Sequence, residues 1–546
     1  MKLNRNALED REAWARIGVA LPRFDIVAAE KITNSAPRWL HFGAGNIFRA
    51  YIARLQQDLL NVGLTDHGII AAETFDEEIL TSSYTPYDNL SLLVTMLPDG
   101  RMDKTVVGSV TDVVSSASEE GLTRLKKIAA EPSMQIISFT ITEKGYALTD
   151  PLGKPIESVK RDVEKGPDGV KGVIGIAASM LLERFNKGGM PIALLSLDNC
   201  SRNGKTLGKS IQYVAKAWVE NGFADKEFLR YLTESDRVSF PWSMIDKITP
   251  RPDPRVQAHL EGLGLEGMSI RITGKSTYIA PFVNAEAPGY LVIEDRFPNG
   301  RPPLEKAGVF MTDRETVNRT ERMKVCTCLN PLHTGMGTFG CLLGFPTIAS
   351  EMGDKDIRAL VEMIGAVEGM PVVTDPEIIK PLEFLREVID ERLSNPNIPD
   401  TPERITTDQS SMMAIRFGET LKAYARSDGL DARGLKAIPL SIAGWLRYLM
   451  GVDDEGRDMP ISPDPYAAAV REKLKGVMFG QPGSYNGQLS QVLNNEQLFG
   501  IDLYAIGLGE KVEALFIKML ECPNAVRRTL RETVGSLPCR SSDKKD

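Results

Sequence analysis

Short apolar runs alternate with segments of helical periodicity through the first half of this 546-residue chain, and this alternation constrains the fold most strongly. The runs are predicted to be buried strands, and they lie at residues 38–42, 68–72, 135–141 and 191–196. Residues 47–60 and 173–185 lie between runs and carry apolar side chains at helical spacing. Apolar strands that alternate with helices are typical of a parallel sheet covered by helices. We therefore predict an α/β fold.

A glycine turn follows the first of these strands. Gly43-Ala44-Gly45 closes the strand and Asn46 opens a helix, which brings backbone N–H groups and the positive end of the helix dipole to one point. Such a turn suits the pyrophosphate of a dinucleotide, and Arg49 on the same helix is a further candidate contact. The third glycine of the usual pattern is absent, because Phe48 stands there. The structural alternative is a tight turn from strand to helix without a ligand.

Glu73 ends the second strand thirty residues after Gly43. This place in the topology predicts that its carboxylate takes the hydroxyls of the adenosine ribose. A carboxylate there would repel a 2′-phosphate, so NAD is favoured over NADP as the cofactor. The alternative is a solvated residue at a strand end.

The domain organisation follows from two interruptions of the pattern. Residues 90–96 and 104–110 flank the turn signal Pro98-Asp99-Gly100 and predict an inserted hairpin. Beyond about residue 300, long helical patterns replace the strands, at residues 354–364, 378–393, 410–425, 435–450, 465–478 and 511–520. We predict a Rossmann-like dinucleotide-binding domain with inserted strands at residues 1–300 and a mainly α-helical substrate-binding domain at residues 301–546, with the Pro/Gly-rich residues 297–303 as linker.

Composition excludes several classes of partner. The net charge of -8 and the pI near 5.5 argue against nucleic acid and anionic membranes. No apolar run approaches the roughly 18 residues of a membrane span, and six cysteines in so long a chain fit a reducing compartment, so we expect a cytoplasmic protein. Cys326, Cys328 and His333 lack a fourth ligand and a standard zinc spacing, so no metal is predicted.

The run from Lys324 to His333 gathers a lysine, an amide and an imidazole within ten residues. A buried lysine can carry the proton of an alcohol while Asn330 holds the reacting oxygen. Amides do not titrate, so Asn330 polarises that oxygen at any pH. A lysine accepts a proton near neutral pH only when burial or neighbouring charge lowers its pKa. The structural alternatives are a solvated lysine, an asparagine in a helix cap, and a hydrogen-bonded core histidine.

Together with residues 140–146, 195–204 and 240–250, these motifs make the chain resemble the polyol-specific long-chain dehydrogenases, the mannitol dehydrogenase family, from about residue 37 to 530. The resemblance implies metal-independent hydride transfer between a secondary alcohol and a nicotinamide, in a cleft between the two domains. It implies Lys324 as general acid/base, Asn199 and Asn330 as donors to the reacting oxygen, and His333 as the residue that orients the substrate. Further contacts are expected with the cofactor from Glu143, Lys144, Asp198 and Asp246, and with the substrate from Asn203.

The chain departs from this family near the lysine. In the mannitol enzymes four residues separate the lysine from the asparagine, whereas residues 325–329 make five here. One extra residue rotates a helical side chain by about 100°. Either the backbone bulges or Lys324 is displaced.

A second departure concerns the substrate. Arg404 matches the family arginine that grips substrate oxygens, whereas Met412 replaces a second cation, and Arg416 lies one helical turn further on. An arginine holds a carboxylate in two parallel hydrogen bonds, which favours a sugar acid. We expect interconversion of D-mannonate and D-fructuronate with NAD by a monomer or small homo-oligomer. Alternatives are a polyol dehydrogenase for mannitol or arabinitol, a tagaturonate reductase, an NADP-linked enzyme and a catalytically silent nucleotide sensor.

Purely structural roles are the alternatives for three of these charged residues. Arg404 would form a surface ion pair with Glu403 or Asp408, Asp198 would be an ordinary loop residue, and Asp246 would cap a helix.

Overall fold

A computed structural model describes residues 1–150 and 153–535. The chain divides into two compact units, Met1–Asn318 and Arg319–Asp546. The division falls inside a helix, Arg314–Met323, downstream of the Pro/Gly-rich residues 297–303. The two units are described separately below.

The first unit contains all the strands of the described part of the chain. They are β1 (Val19–Ala20), β2 (Trp39–Phe42), β3 (Ile69–Glu73), β4 (Ser91–Met96), β5 (Met102–Val107), β6 (Val110–Ser115), β7 (Ile136–Phe139), β8 (Ile192–Ser196), β9 (Val238–Ser239), β10 (Ser243–Asp246), β11 (Arg271–Ile272), β12 (Tyr278–Ile279), β13 (Phe282–Glu286), β14 (Tyr290–Glu294) and β15 (Phe310–Thr312). Its helices are α1 (Arg11–Arg16), α2 (Ile26–Ser35), α3 (Ala53–Asn61), α4 (Glu78–Ser83), α5 (Glu119–Ala130), α6 (Thr142–Tyr146), α7 (Glu157–Lys165), α8 (Val173–Asn186), α9 (Asn203–Glu220), α10 (Lys226–Thr233) and α11 (Pro254–Gly262). Helix α12 (Arg314–Met323) begins in this unit and ends in the second.

A parallel six-stranded sheet has the order β6-β3-β2-β7-β8-β9. This is the strand order of dinucleotide-binding domains, in which the chain reverses its direction of travel across the sheet between the first strand and the fourth. Here those strands are β2 and β7, with Leu40 opposite both Ile70 and Ile137. A ligand crevice is expected at the carboxyl ends of these strands.

The apolar runs are continuous because both faces of this sheet are buried. Leu40 and Phe42 pack on the face covered by α5, α8, α9 and α10, whereas Trp39 packs on the opposite face with α3. Alternate residues of one strand therefore enter two different cores. The predicted strands at β2, β3, β7 and β8 and the predicted α/β class are confirmed.

The predicted hairpin is present as β4 and β5, which pair antiparallel from Ser91 opposite Val107 to Met96 opposite Met102. It belongs to a separate four-stranded sheet of order β1-β5-β4-β13. The predicted strand at residues 104–110 is wrong in extent, because β5 ends at Val107 and β6 begins at Val110 in the main sheet. Smaller sheets pair β10-β14-β15 and β11-β12.

The second unit is mainly helical, as predicted, and its described residues contain no strand. Its helices are α13 (Asn330–Leu343), α14 (Ile348–Met352), α15 (Lys355–Glu362), α16 (Pro381–Glu387), α17 (Pro402–Ile405), α18 (Gln409–Arg416), α19 (Gly418–Arg426), α20 (Ala437–Tyr448), α21 (Ala467–Lys473), α22 (Ser490–Leu493), α23 (Glu496–Phe499), α24 (Gly509–Lys518) and α25 (Ala525–Val534). Wider π-helical turns occur at Lys324–Cys328, Met363–Gly369 and Val388–Arg392.

Helix α13 lies in the core of this unit and is apolar nearly all round. Glycines let neighbouring segments come close to it or to its partner α20. A Cβ on Gly444 of α20 would lie 2.9 Å from the ring of Phe339, and one on Gly335 would lie 2.4 Å from Ile364. The predicted helix at residues 410–425 is broken at Phe417. Gly418 follows the break, and a Cβ there would lie 2.1 Å from the carbonyl oxygen of Phe499, so only glycine fits at this position.

Within the described ranges, no helix combines the length and apolar character needed to cross a membrane. The same residues contain no group of three or more His, Cys, Asp and Glu side chains suited to a metal ion. Five cysteines are free thiols, and Cys539 lies outside the described residues. Burial raises the pKa of Cys326 to about 11 and that of Cys328 to about 12, so both remain protonated at neutral pH.

Candidate active site

The glycine turn after β2 leaves open space in front of a helix. Gly43 has a φ of +103°, and a Cβ there would lie 2.1 Å from the carbonyl oxygen of Thr140, so only glycine fits. A Cβ on Gly45 would meet nothing within 4 Å. This space adjoins the start of the helical segment that begins at Asn46 and runs through the π-helical turn Phe48–Ile52 into α3. The turn therefore fits a pyrophosphate without obstruction by side chains.

Glu73 ties this turn to the loop after β3. One carboxylate oxygen accepts a hydrogen bond from the backbone N–H of Ala44 at 3.0 Å. The other accepts from the N–H groups of Thr74, Phe75 and Asp76 at 3.0, 2.8 and 3.3 Å. Glu73 is buried, so the alternative of a solvated strand end is wrong. Its contact with a ribose stays a prediction.

The side chains of Asn46 and Arg49 stabilise the start of the helical segment that follows the glycine turn. The guanidinium of Arg49 is buried and donates to the carbonyl of Ala280 at 2.8 Å and to the side-chain oxygen of Asn46 at 3.2 Å. The amide of Asn46 donates to the carbonyl of Pro250 at 3.5 Å. These bonds hold the helix start in place, and the predicted cofactor contacts of both side chains stay predictions.

A cavity of about 810 Å³ opens at the carboxyl ends of β3 and β6. Its walls come from residues 74–78, 116–119 and 168–171, together with Leu122, Gly274 and Lys275. In this strand order the adenosine half of a dinucleotide lies on this side of the glycine turn. The sequence did not predict the wall at Gly274 and Lys275, because it comes from the distant β11–β12 hairpin.

Asp198 joins the loops after β7 and β8. Its carboxylate accepts hydrogen bonds from the N–H groups of Ile141 and Thr142, both at 2.9 Å, and from the hydroxyl of Tyr146. Burial raises the pKa of Asp198, so this carboxylate depends on those donors. Asp198 is thus more than an ordinary loop residue.

Three predicted site residues lie exposed after β7 and β8: Glu143 and Lys144 in α6, and Asn199 in the loop after β8. They stand at the carboxyl edge of the main sheet, as a cofactor-binding region requires.

Asn203 and Asp246 are buried elsewhere in this unit. The amide nitrogen of Asn203 donates to the carbonyls of Ser196 and Ser243, and its oxygen accepts from the N–H groups of Gly204 and Ser243. Both groups of the amide are thus engaged within the protein, and the predicted substrate contact of Asn203 stays a prediction. Asp246 ends β10 and does not cap a helix. Burial of Tyr51 raises the pKa of its hydroxyl, and the charge of Asp246 raises it further.

In the second unit, the extra residue near the lysine lies in a π-helical turn. The N–H of Leu329 donates to the carbonyl of Lys324 at 3.0 Å, a spacing of five residues, and α13 begins directly afterwards at Asn330. The backbone therefore takes the bulged alternative. Lys324 is 1% exposed, which excludes a solvated surface lysine.

Two buried polar atoms near the start of α13 have no partner among the described residues: Oδ1 of Asn330 and Nε of Arg416. Arg416 donates through Nη1 to the hydroxyl of Thr334 at 2.9 Å, and that hydroxyl donates to the carbonyl of Asn330 at 3.1 Å. No carboxylate in the described part of the chain pairs with Arg416. Burial lowers its pKa to about 10, so it remains charged at neutral pH.

His333 lies half-buried one turn along α13. Burial lowers its pKa to about 4, and the charges of Arg416 and Arg404 add to the lowering while Asp400 opposes it. Both carboxylate oxygens of Asp400 accept hydrogen bonds from Arg404. The ion-pair alternative for Arg404 is thus realised with Asp400 rather than Glu403 or Asp408. Asp400 lies before α17, and Arg404 lies within α17 four residues later in the sequence.

The strand order and the glycine turn define a dinucleotide-binding protein with a separate helical unit. Residues 37–306 match the model of the mannitol dehydrogenase Rossmann domain, and residues 316–515 match that of the mannitol dehydrogenase C-terminal domain. The chain therefore belongs to the mannitol dehydrogenase family. The predicted family, fold class and oxidoreductase class are confirmed.

Curated relatives and solved structures agree with this assignment. The chain is 53% identical to a D-mannonate oxidoreductase of Thermotoga maritima, over 98% of this chain and 99% of the relative. It is 27% identical to a D-mannonate oxidoreductase of Escherichia coli, over 84% of this chain and 88% of that protein. A substrate-free D-sorbitol dehydrogenase is similar, with a TM-score of 0.77, 26% identity and coverage of 94% and 97% of the two chains. Pseudomonas fluorescens mannitol 2-dehydrogenase, in a ternary complex with NAD and D-mannitol, has a TM-score of 0.71, 26% identity and coverage of 98% and 100%.

Proposed function

We propose that this chain is an NAD-dependent oxidoreductase that interconverts D-mannonate and D-fructuronate. Support comes from the 53% identity with the Thermotoga maritima D-mannonate oxidoreductase and from the similarity to a mannitol 2-dehydrogenase that holds NAD. The open space at Gly45 fits the pyrophosphate of that cofactor.

The observation that carries the choice of a sugar acid is Arg416. Arg416 is half-buried, its Nε is buried without a partner, and no carboxylate of the described residues pairs with its guanidinium. A buried charge without a counter-ion is costly, and a substrate carboxylate that accepts from Nε and Nη2 would remove that cost. Arg404 is a poorer candidate for binding the substrate carboxylate, because its guanidinium already donates to both carboxylate oxygens of Asp400.

The proton and hydride steps have separate carriers in this proposal. Bound NAD supplies the nicotinamide carbon that accepts or returns the hydride. The amine of Lys324 takes the hydroxyl proton during oxidation and gives it back during reduction, and its burial removes competing water. The amide of Asn330 holds the reacting oxygen, and the exposed Asn199 of the first unit is proposed as a second amide donor.

His333 has a positioning role in this scheme. With its pKa lowered to about 4, the imidazole is neutral at the pH of a cell. A neutral imidazole donates one hydrogen bond and accepts another, so it orients a hydroxyl without adding charge. Proton transfer is then assigned to Lys324 alone.

Steady-state assays of the purified protein test the assignment. We expect the highest kcat/KM with NADH and D-fructuronate, lower values with tagaturonate and fructose, and little activity with NADPH. Fructose lacks the carboxylate but keeps the ketone, so it isolates the contribution of the anion. Turnover of fructose equal to that of fructuronate would refute the uronate assignment and favour a polyol dehydrogenase.

A further inference from the structure

Phe75 is an exposed aromatic ring on the wall of the 810 Å³ cavity. Its side chain is 65% exposed, the largest fraction among the exposed large hydrophobic residues of the described chain. Isolated apolar residues on a surface are common, but this ring faces a cavity at the carboxyl ends of β3 and β6. An exposed ring in this position is suited to contact a ligand in the cavity.

The backbone and the ring of Phe75 are both held in place. Its N–H donates to the carboxylate of Glu73 at 2.8 Å, within the set of bonds that also reaches the glycine turn. The ammonium of Lys275 lies 4.6 Å from the centre of the ring and donates to the carbonyl of Phe75. One face of the ring is therefore occupied by a cation.

The β11–β12 hairpin that carries Lys275 is fastened beside this ring. The hydroxyl of Thr273 donates to Asp76 at 2.6 Å, and the N–H of Gly274 donates to Glu78 at 2.9 Å. Ser276 has a φ of +64°, so the hairpin turn uses a left-handed residue. The two carboxylates follow Phe75 in sequence, and they join the hairpin to the same loop as the ring.

We propose that Phe75 and the β11–β12 hairpin form a clamp for the adenine ring of the dinucleotide. The adenine stacks on the face of Phe75 that Lys275 leaves open, and the hairpin keeps Phe75 from turning away. Stacking on an aromatic side chain needs no specific base edge, so the exposed ring alone can hold the base. The inference rests on the proposed function, because it assumes that the glycine turn takes the pyrophosphate.

The test measures NADH binding by quenching of tryptophan fluorescence, and AMP binding by its competition with NADH. We expect Phe75→Ala to weaken both ligands by about tenfold, the effect of losing one stacked base. Phe75→Tyr keeps the ring and should bind like the wild type, and Thr273→Val, which removes one hairpin bond, should weaken both ligands by a few-fold. Lys160→Met, which removes an exposed charge elsewhere in the same unit, is the control and should leave both affinities unchanged. Nicotinamide mononucleotide, which lacks adenosine, should compete equally well with all variants.

Each outcome decides the matter. Equal NADH affinity in the wild type and Phe75→Ala would overturn the clamp and leave the proposed function intact. An equal loss for nicotinamide mononucleotide would show general damage to the site and also overturn the clamp. A wild-type protein that bound neither NADH nor AMP would refute the proposed function and the clamp together.

Discussion

The replacement of Arg416 by methionine tests the assignment of a sugar acid most directly. Methionine keeps an unbranched apolar stem in the buried site and removes only the guanidinium. The hydroxyl of Thr334 loses one donor but keeps its own bond to the carbonyl of Asn330 at 3.1 Å, so α13 should start as before. The variant therefore isolates the charge.

The expected fall in kcat/KM follows from the two guanidinium nitrogens that Thr334 does not engage. Nη1 is engaged with Thr334, which leaves Nε and Nη2 to donate two parallel hydrogen bonds to a carboxylate. Hydrogen bonds to charged groups contribute roughly 1.5–3 kcal/mol each, so their joint loss is about 4 kcal/mol. Because 1.36 kcal/mol is a factor of ten, kcat/KM for fructuronate should fall by about 10²–10³.

The assay follows NADH oxidation with fructuronate and with fructose, for the wild type, Arg416→Met and the control Arg426→Met. Arg426 is exposed at the end of α19, and its loss should change neither rate. For Arg416→Met we expect the large decrease with fructuronate and less than about a threefold change with fructose, which has no carboxylate to lose. An equal decrease with both substrates would show that Arg416 only supports the fold, and full activity with fructuronate would place its carboxylate elsewhere.

Three further predictions concern other parts of the structure. Lys324→Ala should lower kcat by about 10³ while NADH still quenches the fluorescence, and unchanged turnover would contradict its acid–base role. Gly45→Ala should keep its thermal midpoint but lose NADH affinity, because its methyl group enters the open space before the helix, whereas Gly43→Ala should lower the free energy of unfolding by about 2 kcal/mol or more. The pKa of His333, about 4 when folded and roughly 6.5 when unfolded, means that the unfolded state binds more protons between these values. The contribution of His333 to the free energy of unfolding is fully present above pH 6.5 and should fall by about 3 kcal/mol as the pH drops to 4. Urea unfolding measured across this pH range should therefore show a smaller decrease in stability for His333→Gln than for the wild type.

Much of the first unit could be predicted because its strands are buried on both faces. Leu40 and Trp39 enter different cores, which makes the run around them apolar without a break. The end of β5 at Val107 was missed because Val110 continues the apolar pattern beyond Gly108 and Ser109. The close approach of Gly418 to Phe499, directly after the break at Phe417, is a contact between segments distant in sequence and has no local signal.

The residue types of the candidate site could be predicted from the sequence, but the hydrogen bonds between these residues could not. The run from Lys324 to His333 indicated a lysine, an amide and an imidazole, and the structure places them around the start of α13. The bonds of Glu73 to Ala44 join two turns 29 residues apart, and no local pattern predicts them. The engagement of Asn203 with Ser243 similarly depends on the packing of β10 beside α9.

The wide helical turn at Lys324–Cys328 bears on how such an enzyme can change during evolution. An insertion in a regular α-helix would turn every later residue by about 100°, but here the extra residue is confined to five positions and α13 starts in its own register. Asn330 and His333 are thereby insulated from the length of the preceding segment. Selection can therefore adjust the placement of the amine by gaining or losing one codon, without re-evolving the groups that hold the oxygen.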